Sequence, residues 1–261
     1  MENDYVQFIE NIKAKTGIDL SLYKEAQMKR RLTSLYQKRG FSSFAEFYKG
    51  MLHNSALLDE FLDRMTINVT EFYRNRSRWD VLQNKIFPKL LAKKNKLKIW
   101  SAASSTGEEP YTIAMVLSHY LPLKDISILA TDIDIGAINK AKQGIYYERS
   151  IAEVPEDMLK KHFQKDGSLY KISDEVKKTV QYQQLNLLSD QFQSNFDLIV
   201  CRNVSIYFTE PAKDDLYRKF SKALAPGGIL FVGSTEQIFT PSQYGFEIED
   251  TFFYRKVAEI K

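Results

Sequence analysis

The sequence predicts an α/β protein in two parts: a small all-helical N-terminal domain, then a doubly wound domain with a parallel sheet covered on both faces. Two patterns carry this. Over residues 1–75 apolar positions recur at three- and four-residue spacing, as in Leu57, Leu58, Phe61, Leu62 and Met65. From Leu97 onward, short β-rich runs alternate with amphipathic segments. Composition sets the bounds: 261 residues, 44% hydrophobic and 27% charged, exclude a disordered, collagenous or coiled-coil chain. The longest apolar stretches, such as Phe196–Cys201, fall far below the ~18 residues of a membrane span. The start, Met1-Glu2-Asn3-Asp4, lacks a signal-peptide pattern, and a lone Cys201 excludes an internal disulfide. A soluble, cytoplasmic protein is expected.

In the helical part, breaks fall at Thr16-Gly17, Gly40 and His53-Asn54-Ser55. Ser42 or Ser43 is the candidate N-cap of the third segment, and Glu46 completes a capping box. Residues 76–96 are expected to form a linker, and 97–261 the second domain. There the predicted order is Leu97–Ala102, Pro110–Tyr120, Ile126–Thr131, Ile135–Lys142, Thr179–Gln184, Phe196–Cys201, Pro211–Leu224, Ile229–Gly233 and Thr251–Val257. Ala225-Pro226-Gly227-Gly228 marks the stop after a helix. Residues 143–178 break the alternation and predict an inserted, β-rich subdomain.

The net charge of +4 is mild, but the basic residues cluster. Lys24, Lys29, Arg30, Arg31, Lys38 and Arg39 form one run; Lys85, Lys89, Lys93, Lys94, Lys96 and Lys98 form another. Each is either a solvated face or a docking surface for an acidic partner.

Chemistry concentrates at strand exits, where doubly wound sheets bind ligands. The first exit reads Ser101-Ala-Ala-Ser-Ser-Thr-Gly-Glu-Glu-Pro110 and lacks the dinucleotide glycine fingerprint. Glu108 and Glu109 would repel a pyrophosphate at this helix start, which favours a ligand with a cationic group, such as S-adenosylmethionine. Alternatively, they complement the helix dipole. Asp132, 25 residues past Gly107, suits ribose hydroxyls, and Asp134 suits an N-cap. No histidine or cysteine grouping has metal-ligand spacing, so no metal is expected. The Phe196–Cys201 strand exits into Arg202-Asn203-Val204-Ser205-Ile206-Tyr207-Phe208.

Met65–Arg74, Ser101–Pro110, Ala130–Asp134, Asn186-Leu187-Leu188, Cys201–Phe208 and Pro226-Gly227-Gly228, in this order, closely resemble the bacterial chemotaxis receptor methyltransferases of CheR type. The resemblance covers nearly the whole chain. It implies a Rossmann-like class I S-adenosylmethionine-dependent methyltransferase domain. It also implies methylation of glutamates on the cytoplasmic helices of methyl-accepting chemotaxis receptors, with S-adenosylhomocysteine as the other product. By position, it implies that Asn68, Thr70 and Arg74 close over the cofactor, that Glu109 is the acid of the first turn and that Asp132 binds ribose. Asn186 and Leu187 fall on the adenine side, and Arg202, Asn203 and Tyr207 beside the methionine moiety. Arg74 and Tyr207 are the expected catalytic pair: Arg74 to orient cofactor or substrate carboxylate, Tyr207 to shape the methyl-transfer position. Ser104 and Ser205 depart from the family pattern.

With this family in view, Lys24, Arg31 and Lys38 on a helix over Ser21–Arg39 become the expected receptor-docking stripe. A monomer is expected. Two other readings stay open: a methyltransferase of nucleic acid or a small molecule, and a non-catalytic cofactor-binding module. No aromatic–basic platform for single strands accompanies the basic runs, so nucleic acid is not the expected partner.

Overall fold

The computed structural model describes residues 2–66 and 68–257. Helices α1 (Glu2–Thr16), α2 (Glu25–Lys38), α3 (Phe44–His53) and α4 (Ser55–Met65) share one core. Its residues keep the helical repeat: Tyr5, Phe8 and Ile12; Met28, Leu32 and Leu35; Phe44, Phe47 and Met51; Leu57, Phe61 and Met65. Ser43 caps α3 by accepting from the Glu46 N–H at 3.1 Å, while the Glu46 carboxylate accepts from the Ser42 N–H at 2.9 Å. The basic helix starts later than expected. Leu20–Leu22 forms a 3-10 turn, Tyr23 is extended, and Lys24 is the cap of α2.

Residues 76–96 do not behave as a linker. α5 (Arg76–Val81), a π-helical turn (Leu82–Ile86) and α6 (Phe87–Leu91) bury Trp79, Leu82, Ile86 and Phe87 in the core of the α/β domain. The π turn has a local cause. Pro88 has no N–H for the preceding turn, and the Phe87 N–H reaches back to the Leu82 carbonyl. The lysine run is held internally as well. Lys85 pairs with Asp250 at 2.6 Å, Lys89 with Glu249, and Lys94 with Asp197 at 2.6 Å. The Lys98 ammonium donates to the Ser194 carbonyl at 2.9 Å.

The α/β domain runs β1 (Ile99–Ala102), α7 (Glu108–Leu117), β2 (Ile128–Asp132) and α8 (Ile135–Gln143). The insertion follows as β3 (Ile145–Tyr147), α9 (Glu156–His162), β4 (Phe163–Asp166), β5 (Leu169–Ile172) and α10 (Asp174–Lys177), its strands forming a small sheet in the order β3-β5-β4. The main chain of the fold resumes with β6 (Val180–Gln184), β7 (Phe196–Cys201), α11 (Glu210–Ala223), β8 (Leu224–Val232), β9 (Phe246–Asp250) and β10 (Phe253–Lys256). Strand order in the seven-stranded sheet is β6-β2-β1-β7-β8-β10-β9.

Side chains alternate between two cores, one on each face. Leu198 and Val200 join α6 and α7; Ile199 and Cys201 join α11. The end of the chain departs from the expected single strand at Thr251–Val257. β9 and β10 are joined by Thr251 and Phe252 alone, too short for a crossover, so β10 pairs antiparallel with both β9 and β8. β8 also starts earlier than expected, at Leu224, and takes in the Pro226-Gly227-Gly228 break.

Because Phe87 is fully buried, Phe87→Ala should lower unfolding free energy by about 3–5 kcal/mol in urea titrations. A linker residue at this position would give almost no change.

Candidate active site

β1, β2 and β7 end at the same edge of the sheet, and their exits surround a cavity of about 1030 Å³, open mouth included. Asn68, Thr70, Arg74, Glu109, Asp132, Asn186, Leu187, Arg202, Asn203 and Tyr207 all line it. Residues drawn from five separated stretches of sequence thus meet at one place.

The backbone around the cavity is bent to an unusual degree. Tyr73, Asn75, Ala103, Ser105 and Asn203 have φ of 53°, 60°, 64°, 48° and 60°. Such left-handed, non-glycine residues cost of order 1–3 kcal/mol each and persist only where surroundings hold them. At Gly107 (φ 95°) the fold needs glycine itself, since a Cβ would come within 2.7 Å of the Tyr182 hydroxyl.

Specific hydrogen bonds hold these turns. Asp132, 6% exposed, accepts from the Ser105 N–H at 2.7 Å and the Asp134 N–H at 2.9 Å. Burial pushes its pKa up to about 6 despite those two donors. Asp134 caps α8 through the Ala137 N–H at 3.1 Å, as expected, and also accepts from the Asn68 amide at 2.8 Å. The Asn68 oxygen accepts from the Ser105 hydroxyl at 2.8 Å. Asn68 therefore clasps the helical domain to the first turn, in addition to lining the cavity.

The two adjacent glutamates separate in role. Glu108 is buried away from the cavity and accepts from the Thr106 hydroxyl at 2.6 Å. Glu109 faces the cavity with 11% of its side chain exposed. It accepts from Ser101 Oγ at 2.8 Å, and its other oxygen lies 3.9 Å from an Arg202 nitrogen. Burial pushes its pKa up to about 7; Arg202, at that distance, only partly offsets this.

Arg202 is itself buried. One of its terminal nitrogens donates to the Arg74 carbonyl at 2.8 Å, and its guanidinium lies 5.2 Å from the Trp79 ring and 4.9 Å from Phe231. Its Nε, and the Ser104 hydroxyl, are buried beside the cavity without a hydrogen-bond partner among the described residues. Open donors beside a half-paired acid suit the amino-acid end of S-adenosylmethionine, with its carboxylate and ammonium, so the residues fit that group. The Arg74 guanidinium donates to the Val69 carbonyl at 3.1 Å. The Asn186 oxygen accepts from the Leu188 N–H at 3.0 Å.

Three residues absent from the expected set matter here. Trp79 lines the wall beneath Arg202. Tyr23 brings the helical domain to the cavity: it bridges Phe208, while the Thr209 N–H donates to Leu22 at 2.9 Å and the Lys24 N–H to Tyr207 at 2.8 Å. Glu236 lies behind the loop, and its carboxylate accepts from the N–H groups of Asn203, Val204, Ser205 and Gly233 at 2.6–2.9 Å, and from Ser205 Oγ at 2.8 Å. A Cβ at Gly233 would fall 2.4 Å from this carboxylate, so glycine is required there. Gly233-Ser-Thr-Glu236, an acid just past a strand end, was the available signal for Glu236. Tyr23 had none nearby.

The basic run on α2 resolves into a groove of about 940 Å³ beside the cavity, lined by Gln27, Arg30, Arg31, Ser34, Arg64 and Tyr207. Tyr207 is common to groove and cavity. Arg31 lies over its ring at 5.4 Å and donates to the Met65 carbonyl at 2.6 Å. Of the expected stripe, Arg31 lines this groove and Lys24 and Lys38 do not. Lys24 sits at the cap and Lys38 at the last turn of α2. Arg30 and Arg64 line it as well.

The sequence matches two family profiles: "CheR methyltransferase, all-alpha domain" over residues 3–66 and "CheR methyltransferase, SAM binding domain" over residues 68–252. It is 43% identical over 257 residues to a chemotaxis protein methyltransferase of Listeria innocua, covering 98% of each chain. It is 36% identical over 251 residues to one of Borreliella burgdorferi, covering 91% of this chain and 89% of the relative.

Replacing Glu236 by Gln sets an amide N–H₂ against backbone donors. Glu236→Gln should lose about 3 kcal/mol of stability and speed amide exchange at Asn203–Ser205. Unchanged exchange there would remove its role in holding the loop.

Proposed function

This chain belongs to the CheR methyltransferase family, and we propose that it esterifies glutamate side chains on the cytoplasmic helices of chemoreceptors. The single observation that carries the substrate reading is the arginine groove ending at Tyr207 on the wall of the cofactor cavity. An acidic helix lying along Arg30, Arg31 and Arg64 would bring a carboxylate to the place where groove and cavity meet. This reading sets the chain in the cytoplasm, where those receptor helices are.

S-adenosylmethionine supplies a methyl group on a sulfonium: a carboxylate oxygen gains the methyl carbon as the carbon–sulfur bond breaks, leaving an ester and S-adenosylhomocysteine. The protein needs no general base, because glutamate, with an ordinary pKa near 4.3, is already anionic at neutral pH. Its task is alignment and exclusion of water, and good alignment alone is worth about 7–11 kcal/mol. In this scheme Glu109 takes the ammonium of the cofactor and Arg202 its carboxylate. Asp132 receives the ribose hydroxyls through its remaining lone pairs, and Asn186 and Leu187 border the adenine. Asn68, Thr70 and Asn203 complete the wall. Arg74 orients the carboxylate, and Tyr207, held by Arg31 and Lys24, shapes the transfer position.

The deciding experiment supplies methyl-labelled S-adenosylmethionine and receptor-containing membranes, then mild alkali. Label released as volatile methanol is the expected result; alkali-stable label would point to nitrogen methylation and overturn the ester reading. Arg30→Ala with Arg64→Ala should lower kcat/KM for receptor at least tenfold at low salt, with cofactor affinity unchanged, and rising salt should narrow the gap.

Cofactor affinity should depend on pH. Glu109 in the free protein has its pKa raised from 4.5 to about 7, so below that pH its proton must leave before it can pair with a cation. Titration calorimetry should show affinity weakening as pH falls through 7, by up to about tenfold per unit, and Glu109→Gln should flatten that slope. The sign for stability is opposite. With its folded pKa above its unfolded one, this acid's contribution to stability is full below 4.5 and is lost as pH rises through 7.

A further inference from the structure

β3 lies at the edge of the inserted sheet, and its three residues divide between two environments. Ile145 and Tyr147 are 49% and 61% exposed, whereas Tyr146 between them is 4% exposed. The Tyr146 hydroxyl donates to the Thr106 carbonyl at 2.9 Å, in the turn between β1 and α7. Its ring meets Phe72 edge-on at 4.8 Å. Phe72 is held from the insertion twice more, by its N–H to the Ser150 carbonyl at 2.9 Å and by the Phe163 ring at 5.1 Å. The insertion therefore grips both walls of the cavity, the first turn and the segment carrying Asn68 to Arg74.

Thr106 stands between two left-handed residues, Ser105 (φ 48°) and Gly107 (φ 95°). Ser105 gives its N–H to Asp132 and its hydroxyl to Asn68, and the Thr106 hydroxyl is held by Glu108. A turn bent this way needs tethers on its carbonyl side as well. Tyr146 supplies the one at Thr106, and burial beside Glu108 keeps its phenol protonated and donating.

We propose that Tyr146 is a positioning residue: by fixing the Thr106 carbonyl it holds the first turn in the shape that receives S-adenosylmethionine, so the inserted subdomain sets cofactor affinity without touching the cofactor. The inference rests on the cofactor reading above. Linkage makes it reciprocal, because a cofactor that favours the tethered turn must also steady β3.

The test compares Tyr146→Phe with Tyr111→Phe. Tyr111 also buries a hydroxyl, but donates it to Ala141 in α8 and not to the turn. Tyr146→Phe should raise the Kd for S-adenosylhomocysteine and the KM for S-adenosylmethionine about fivefold, with kcat at saturating cofactor within twofold of the parent; Tyr111→Phe should leave Kd within twofold. S-adenosylhomocysteine should slow amide exchange at residues 145–147 in the parent and less so in Tyr146→Phe. Unchanged affinity in Tyr146→Phe, or equal losses in both variants, would overturn the proposal. If the parent itself failed to bind S-adenosylhomocysteine, the cofactor reading would fall. Faster exchange at residues 105–107 in Tyr146→Phe alone would then still support the tether, and its absence would overturn it.

Discussion

The placement of β1 between β2 and β7 governs the rest of the molecule. All three run parallel, but the chain leaving β1 crosses through α7 to β2, while the chain leaving β7 crosses through α11 to β8. With crossovers of one hand, these helices must lie on opposite faces of the sheet, as they do. The two exits therefore diverge and leave a crevice at the carboxyl edge. Every wall of the cavity is an answer to that opening: the bent turns after β1 and β7, Asp132 at the end of β2, and the helical domain that reaches over through Tyr23 and Asn68.

Two buried carboxylates at this edge show how one chemical group serves two purposes. Glu236 is saturated by four backbone N–H groups and a hydroxyl, and it fixes the loop that carries Asn203 and Tyr207. Glu109 has one hydroxyl and an arginine nitrogen at 3.9 Å. A satisfied buried charge holds structure together, whereas an under-satisfied one is costly until a ligand completes it. The buried Arg202 Nε and Ser104 hydroxyl carry the same cost in the same cavity. A polar, partly cationic guest would relieve these costs.

The parts that flank the α/β domain act on the site by contact, not proximity alone. The helical domain adds a short antiparallel bridge at Tyr23–Phe208 and the Asn68 clasp to Asp134. It also brings Arg30, Arg31 and Arg64 from two helices to the side of Tyr207. Residues 76–91 seal the floor with Trp79, whose indole N–H donates to the Arg74 carbonyl at 3.0 Å.

Much of this was legible in sequence because local rules govern it. Helical spacing marked the N-terminal part as helical, Asp134 was legible as a cap and the cap of α3 as Ser42 or Ser43, and polar residues at strand ends marked the cavity. Parallel strands put all their carboxyl ends at one edge, so residues as far apart as Glu109 and Tyr207 had to meet once each exit was recognised, whereas Asn68, ahead of the first strand, was placed only by the family resemblance. Other features depend on partners distant in sequence. The segment after Arg76 looks like a lysine-rich linker until Trp79 and Phe87 find the face of a sheet formed later in the chain. Glu236 becomes a cradle only when β7 and β8 lie side by side, and the groove exists only because α4 sets Arg64 beside α2. Short-range pattern determined which elements form and where the chemistry lies. Packing across the fold decided which charges face the cavity, which are consumed as structure, and what closes over them.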